Sequence, residues 1–102
     1  MDMVRHIVMF KLKEFTSPAE KKAKLVEIKE KLEALKDKID VLDKIEVNFN
    51  CNPAETWDLI LTTELKSLDD VNTYANHPEH VAVAKGIIGP VKADRACVDY
   101  LF

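Results

Sequence analysis

Eleven residues near the start, Met3 to Lys13, alternate without interruption. Val4, His6, Val8, Phe10 and Leu12 fall on one face of an extended chain, and Met3, Arg5, Ile7, Met9 and Lys11 on the other. Apolar side chains occupy both faces, so the segment reads as a central strand that needs cover above and below. The rest of the chain has to supply neighbouring strands and a layer of helices to pack on them.

The next segments fit that demand. Ser17 stands before Pro18, with Glu20 three residues after it, which predicts an N-cap, a first helical position and the far arm of a capping box. The helix that follows carries Leu25, Ile28, Leu32, Leu35 and Ile39 at spacings of three and four, with Glu20/Lys24 and Glu27/Lys31 expected to pair on its outer side. Alternation returns from Asp43 to Asn50, where Ile45, Val47 and Phe49 face away from Lys44, Glu46, Asn48 and Asn50, the pattern of an edge strand. Cys51 to Glu55 reads as a turn. Trp57 to Leu65 reads as a third strand, with Trp57, Leu59, Leu61, Thr63 and Leu65 on one face. Ser67, with Asp70 three residues later, opens a short helix bearing Leu68, Val71 and Tyr74. Pro78 forces His77 out of the helical region and starts a second short helix running to Gly86, with His80 in its first turn. Asp94 to Phe102 is the last strand, with Cys97, Asp99 and Leu101 opposite Ala96, Val98, Tyr100 and Phe102.

The order β-α-β-β-α-β within 102 residues predicts one α+β domain over residues 1–102. It is a ferredoxin-like four-stranded antiparallel sheet with helices on one face and the first strand between the third and the last. That topology leaves Met3, Ile7, Met9, Ile60, Val98, Tyr100 and Phe102 on an uncovered face. A second copy of the chain, closing a dimeric α/β-barrel, is the expected cover; a monomer with a semi-polar face is the alternative, since Arg5, Lys11, Asp58 and Glu64 share that side. Net charge is -3 and lysines are interleaved with carboxylates, so no basic stripe awaits nucleic acid. The apolar run Ile7 to Phe10 is far short of the ~20 residues of a membrane span, and the chain is expected to be cytoplasmic, with Cys51 and Cys97 as reduced, structural thiols.

Candidate chemistry concentrates in Tyr74-Ala75-Asn76-His77-Pro78-Glu79-His80, which holds two of the three histidines beside a phenol. Imidazole titrates near neutrality and a helix N-terminus favours its neutral form, so His80 suits a general base, with the Tyr74 hydroxyl as a donor to a substrate carbonyl. The alternative is structural, with Tyr74 packed over the sheet and His80 capping its helix. His6 and Asp99 are the odd polar members of the helix-facing sides of two antiparallel neighbours. Together they are either a self-satisfying buried pair or an anchor for an anionic or enolic ligand. His6, Val8, Phe10, Leu61, Tyr74, His80 and Asp99 are therefore expected to line one pocket between sheet and helices. The break at Pro78 spoils His77 and His80 as a metal pair, and neither a Gly-rich phosphate loop nor an axial haem ligand stands out, so no metal, haem or other cofactor is expected.

Met3-Val-Arg-His-Ile-Val-Met-Phe-Lys-Leu-Lys13, Tyr74 through His80-Val81, and Asp99-Tyr100 together resemble the stress-responsive dimeric α/β-barrel (Dabb) domain family over nearly the whole chain. The resemblance implies a homodimer. It also implies, from a polyketide-cyclase branch, a catalytic pair at Tyr74 and His80 with His6 and Asp99 lining the same pocket. Where that branch has aromatic residues in the first helix, this chain reads Lys22-Ala-Lys-Leu-Val-Glu27. Three functions follow: a cofactor-independent cyclase- or isomerase-like enzyme acting on a carbonyl, a non-catalytic stress-associated ligand-binding protein, or, third, a haem-degrading monooxygenase of the related superfamily.

Overall fold

The computed structural model describes residues 2–102. Its strands are β1 (Val4–Leu12), β2 (Lys44–Phe49), β3 (Leu59–Leu65) and β4 (Lys92–Leu101). Its helices are α1 (Pro18–Glu33), extended by one 3-10 turn, α2 (Leu68–Asn76) and α3 (Pro78–Val83), which runs on into a π-helical turn and a 3-10 turn. The sheet is antiparallel throughout, in the order β2-β3-β1-β4, so the alternating first segment does lie inside it.

The even-numbered face of β1 is the floor of the core. Val4, Val8, Phe10 and Leu12 are buried there against Ile28, Leu32 and Leu35 of the first helical segment and Leu61 and Leu65 of β3. Both helix entries form as their residues dictate. The Ser17 hydroxyl accepts from the Glu20 N–H at 3.1 Å and that of Ser67 from the Asp70 N–H at 3.1 Å. The reciprocal arm of the first box is absent, because the Glu20 carboxylate accepts instead from the Thr16 hydroxyl. The ion pairs along α1 are Lys24–Glu27 and Lys29–Glu33, not those the spacing predicts.

Lys29 and Glu33 do more than pair. The Lys29 ammonium donates to the Val47 carbonyl at 2.6 Å, and the Val47 N–H donates to Glu33 at 3.0 Å. Side chains of α1 thus satisfy backbone groups on the outer side of β2 and blunt that sheet edge. Desolvation pushes the Glu33 carboxyl up, but its bonds to Lys29 and Val47 outweigh this and hold it below the usual carboxylate range.

Two strand boundaries and the burial of one helix residue differ from the sequence pattern. β3 begins at Leu59 rather than Trp57; the Asp58 backbone still bonds to the Phe10 carbonyl at 2.9 Å and to the Asn50 N–H at 3.0 Å, while its carboxylate accepts from the Leu12 N–H at 2.7 Å and pairs with Lys21. Leu68, placed by spacing on the buried stripe of α2, is 58% exposed at the first position of that helix. β4 starts at Lys92 rather than Asp94, and its pairing with β1 steps from Lys11↔Asp94 to Leu12↔Lys92, a bulge that leaves Ala93 without a partner. The odd-numbered face of β1 has no helix on it; Val98, Tyr100 and Phe102 of the neighbouring segment are 54, 42 and 39% exposed.

Candidate functional site

Helix-end chemistry positions the Tyr74–His80 segment. His77 is extended, with φ -65° and ψ 134°, as a residue before proline should be, and it ends α2 and begins α3 at once. Its own Nδ1 accepts from the Glu79 N–H, so it is His77 that caps α3. The reversal carries His80 back to the end of α2, whose last carbonyls have no helical partner. There the His80 Nδ1–H donates to the Ala75 carbonyl at 2.9 Å. A carbonyl can only accept, so Nδ1 holds the proton of the neutral ring and Nε2 is left as its acceptor.

Burial pushes the His80 pKa below the ordinary imidazole value, and positive charge at His6, Arg95 and His77 lowers it further, against a smaller opposing effect of the Ala75 bond. The sequence points to the same direction through the helix terminus; desolvation is the larger cause. Tyr74 stacks beside His80 with ring centroids 4.5 Å apart, and meets the His6 ring edge-on at 6.2 Å. Only 1% of Tyr74 is exposed, and its hydroxyl has no hydrogen-bond partner among the described residues. Burial raises its pKa strongly, so it stays a phenol and a donor at neutral pH.

His6 is held from the other side. β1 and β4 place it opposite Asp99, and its Nδ1–H donates to the Asp99 carboxylate at 2.5 Å, with the Cys97 sulfur 3.6 Å from the same nitrogen. Burial, and then the Asp99 charge, push the Cys97 thiol pKa up. On the β3 side the Thr63 hydroxyl donates to the His6 carbonyl at 2.9 Å, fixing the backbone that carries the ring. His6, Cys97 and Asp99 bring one donor atom each within 4.8 Å of one another, the one grouping of metal-ligand type among the described residues. His77 and His80 are both engaged at helix ends and take no part in it.

A cavity of about 130 Å³ lies between sheet and helices. His6, Val8, Phe10 and Leu61 form its floor, and Tyr74 and His80 belong to its roof. Asp99, the seventh residue expected there, is not on the wall; it stands behind His6 and reaches the cavity only through that ring. Sequence reasoning missed Leu32, Ala75, Ala84 and Ile88, which are ordinary packing, and the two cations Lys92 and Arg95. Arg95 has the same parity as Cys97 and Asp99, and one further step back along β4 finds it. Lys92 has the opposite parity, and only the bulge at Ala93 turns it inward.

Fold and site define a ferredoxin-like α+β domain with a small, largely apolar pocket under its second helical pair. The chain belongs to the family described as the stress responsive A/B barrel domain, which it matches over residues 4–102. Among solved structures, a dimeric ferredoxin-like protein of unknown function from Bacteroides fragilis is 52% identical, covers 98% of this chain and 96% of its own, and superposes with a TM-score of 0.91. A dimeric ferredoxin-like protein of unknown function from Thermobifida fusca shares the fold at 24% identity and TM-score 0.82, covering 99% of this chain and 92% of its own. A hydroxynitrile lyase from Passiflora edulis shares it at 17% identity and TM-score 0.80, covering 99 and 94%. No curated protein matches. Among the described residues no helix is long and apolar enough to cross a membrane.

Proposed function

We propose that the protein is a homodimer whose pocket binds a small carbonyl compound and acts on it without a cofactor, in the manner of an isomerase or cyclase. The observation that carries the reading is the Tyr74 hydroxyl, a buried donor with no partner beside an imidazole whose free nitrogen is an acceptor. An unmet buried hydroxyl costs about 1–3 kcal/mol, and a small shift of the Tyr74 ring toward the cavity it lines would let a ligand oxygen remove that cost. The uncovered face of β1 and β4, and the dimeric state described for the 52% identical relative, support the homodimer. The Passiflora edulis relative is an enzyme, a likeness that extends to the fold alone.

In this reading Tyr74 donates to the substrate carbonyl oxygen. His80 Nε2 takes a proton from the adjacent carbon, and the C–H electron pair becomes the enolate double bond, its charge held by the phenol. Where the substrate is β,γ-unsaturated the anion is a dienolate, and return of the proton to its γ-carbon, with the double bond moved into conjugation, completes an isomerisation. Attack of the enolate carbon on a second carbonyl of the same molecule forms a ring C–C bond, and the alkoxide takes the proton from His80. His6, oriented by Asp99, positions the substrate; Val8, Phe10 and Leu61 supply the apolar floor.

The test is exchange of carbon-bound protons in deuterated water, followed by NMR over a panel of small ketones and oxo acids. The wild type should accelerate exchange, and His80→Ala should slow it by about 10²-fold or more while the dimer stays intact. Retained exchange in that variant moves the base elsewhere. Binding with no exchange from any compound favours a ligand-binding protein over an enzyme.

A further inference from the structure

We infer that the ligand of this pocket is an anion, a short oxo acid whose carboxylate is held by Arg95 and Lys92 at one end while its carbonyl reaches Tyr74. The inference rests on the reading of the pocket given above and adds the charge of the substrate. Two cationic side chains line the cavity and no acidic one does. Neither Arg95 nor Lys92 takes part in an ion pair among the described residues, although the chain carries more carboxylates than cations. The acids nearest in sequence are turned elsewhere: Asp94 accepts from the Arg95 backbone N–H on the opposite parity of β4, and Asp99 is bonded to His6.

The fold also goes out of its way to bring the second cation in, because regular pairing would point Lys92 to the other face and the bulge at Ala93 reverses it. The unpaired, buried Tyr74 hydroxyl is the independent sign that a ligand completes the site, and it accounts for the neutral end of that ligand. Size limits the rest. A cavity of about 130 Å³ is close to the ~150 Å³ that holds a benzene-sized molecule, enough for a chain of a few carbons. A guanidinium offers a planar fork to a carboxylate and an ammonium a point charge, so Arg95 fixes orientation and Lys92 adds attraction.

Acetoacetate and its methyl ester share a carbonyl skeleton and differ in charge, which makes them the probe pair for calorimetric titration of the dimer. The acid should bind at least about tenfold tighter than the ester, and added salt should weaken the acid alone. Arg95→Met should erase the preference and Arg95→Lys retain part of it, a control for any loss of folding; Tyr74→Phe should weaken acid and ester by the same factor. Equal affinity for the two, tighter binding of the ester, no binding of either, or a preference that survives Arg95→Met together with Lys92→Met overturns the inference. If the ester binds and still depends on Tyr74, the reading of the site stands without it; if neither ligand responds to Tyr74→Phe, that reading falls as well.

Discussion

The two faces of β1 are built from the same alternating segment and end in opposite states. On the open face Arg5 is fully engaged: its guanidinium donates twice to Glu64, at 2.9 and 3.2 Å, and once to the Tyr100 hydroxyl at 2.9 Å, and it lies 3.8 Å from the Phe102 ring centroid. On the covered face the Tyr74 hydroxyl, deep in the core, has no hydrogen-bond partner among the described residues. Around Arg5 the open face has its charges paired within the chain, and Val98, Tyr100 and Phe102 beside it lack apolar cover. The covered face has its apolar packing and lacks a polar partner. An exposed apolar patch beside an internally paired charge suits another protein surface, and a cavity between sheet and helices beside an unmet donor suits a small molecule.

The strongest way to break that contrast is to charge the open face. Met9 sits opposite Ile60 on β3 and Ala96 on β4, at the middle of the uncovered sheet. Met9→Lys would place an unpaired ammonium in each half of a dimer interface and should cost association about 3–5 kcal/mol. Sedimentation at micromolar concentration should then show monomer with an unchanged circular dichroism spectrum. A Met9→Lys protein that associates as the wild type does would show that the open face is not an interface.

Next comes removal of the unmet donor. Tyr74→Phe should raise the ligand-free melting temperature, because a hydroxyl buried without a partner costs about 1–3 kcal/mol, and it should also weaken ligand binding and reduce any turnover. Stability gained and function weakened by one atom is the signature of a site that is incomplete by itself. A fall in melting temperature would mean that the hydroxyl is satisfied in solution and the contrast between the faces is false.

The pH dependence of stability is a smaller effect. His80 has a lowered pKa in the folded protein, so the unfolded chain binds more protons between that value and the ordinary one near ~6.5. Stability should therefore be complete above the ordinary value, fall as pH drops below it by at most ~1.4 kcal/mol per unit, and level off below the lowered value. Urea denaturation from pH 7.5 to 5 measures this, and His80→Gln should flatten the slope.

How much of this the sequence reveals depends on how strongly burial patterns each segment. β1 is legible because every second residue must be buried, and its antiparallel pairing with β4 brings His6 to Asp99. β4 is nearly unpatterned, exposed along almost its whole length, so neither its start at Lys92 nor its bulge leaves a mark in hydrophobicity. That is why the two cations of the pocket escape notice while its apolar floor does not. Trp57 and Leu68 mislead for the converse reason: each continues a period correctly, but period says which way a residue points and nothing about how far the sheet extends beneath it.

The smallest effect is the sharpest comparison, because it applies one substitution to both faces. Tyr100→Phe removes a hydroxyl that accepts from Arg5, whereas Tyr74→Phe removes one that bonds to nothing. Arg5 keeps Glu64, and Tyr100 is 42% exposed in the single chain, so the loss should be small, well under that of a buried hydrogen bond. The two changes should thus move the melting temperature in opposite directions, down slightly for Tyr100 and up for Tyr74. The same hydroxyl in two environments, one exposed with a partner from its own chain and one buried without, gives the sign. If both variants lose stability by similar amounts, Tyr74 has a partner of its own and the pocket is a packed core like any other.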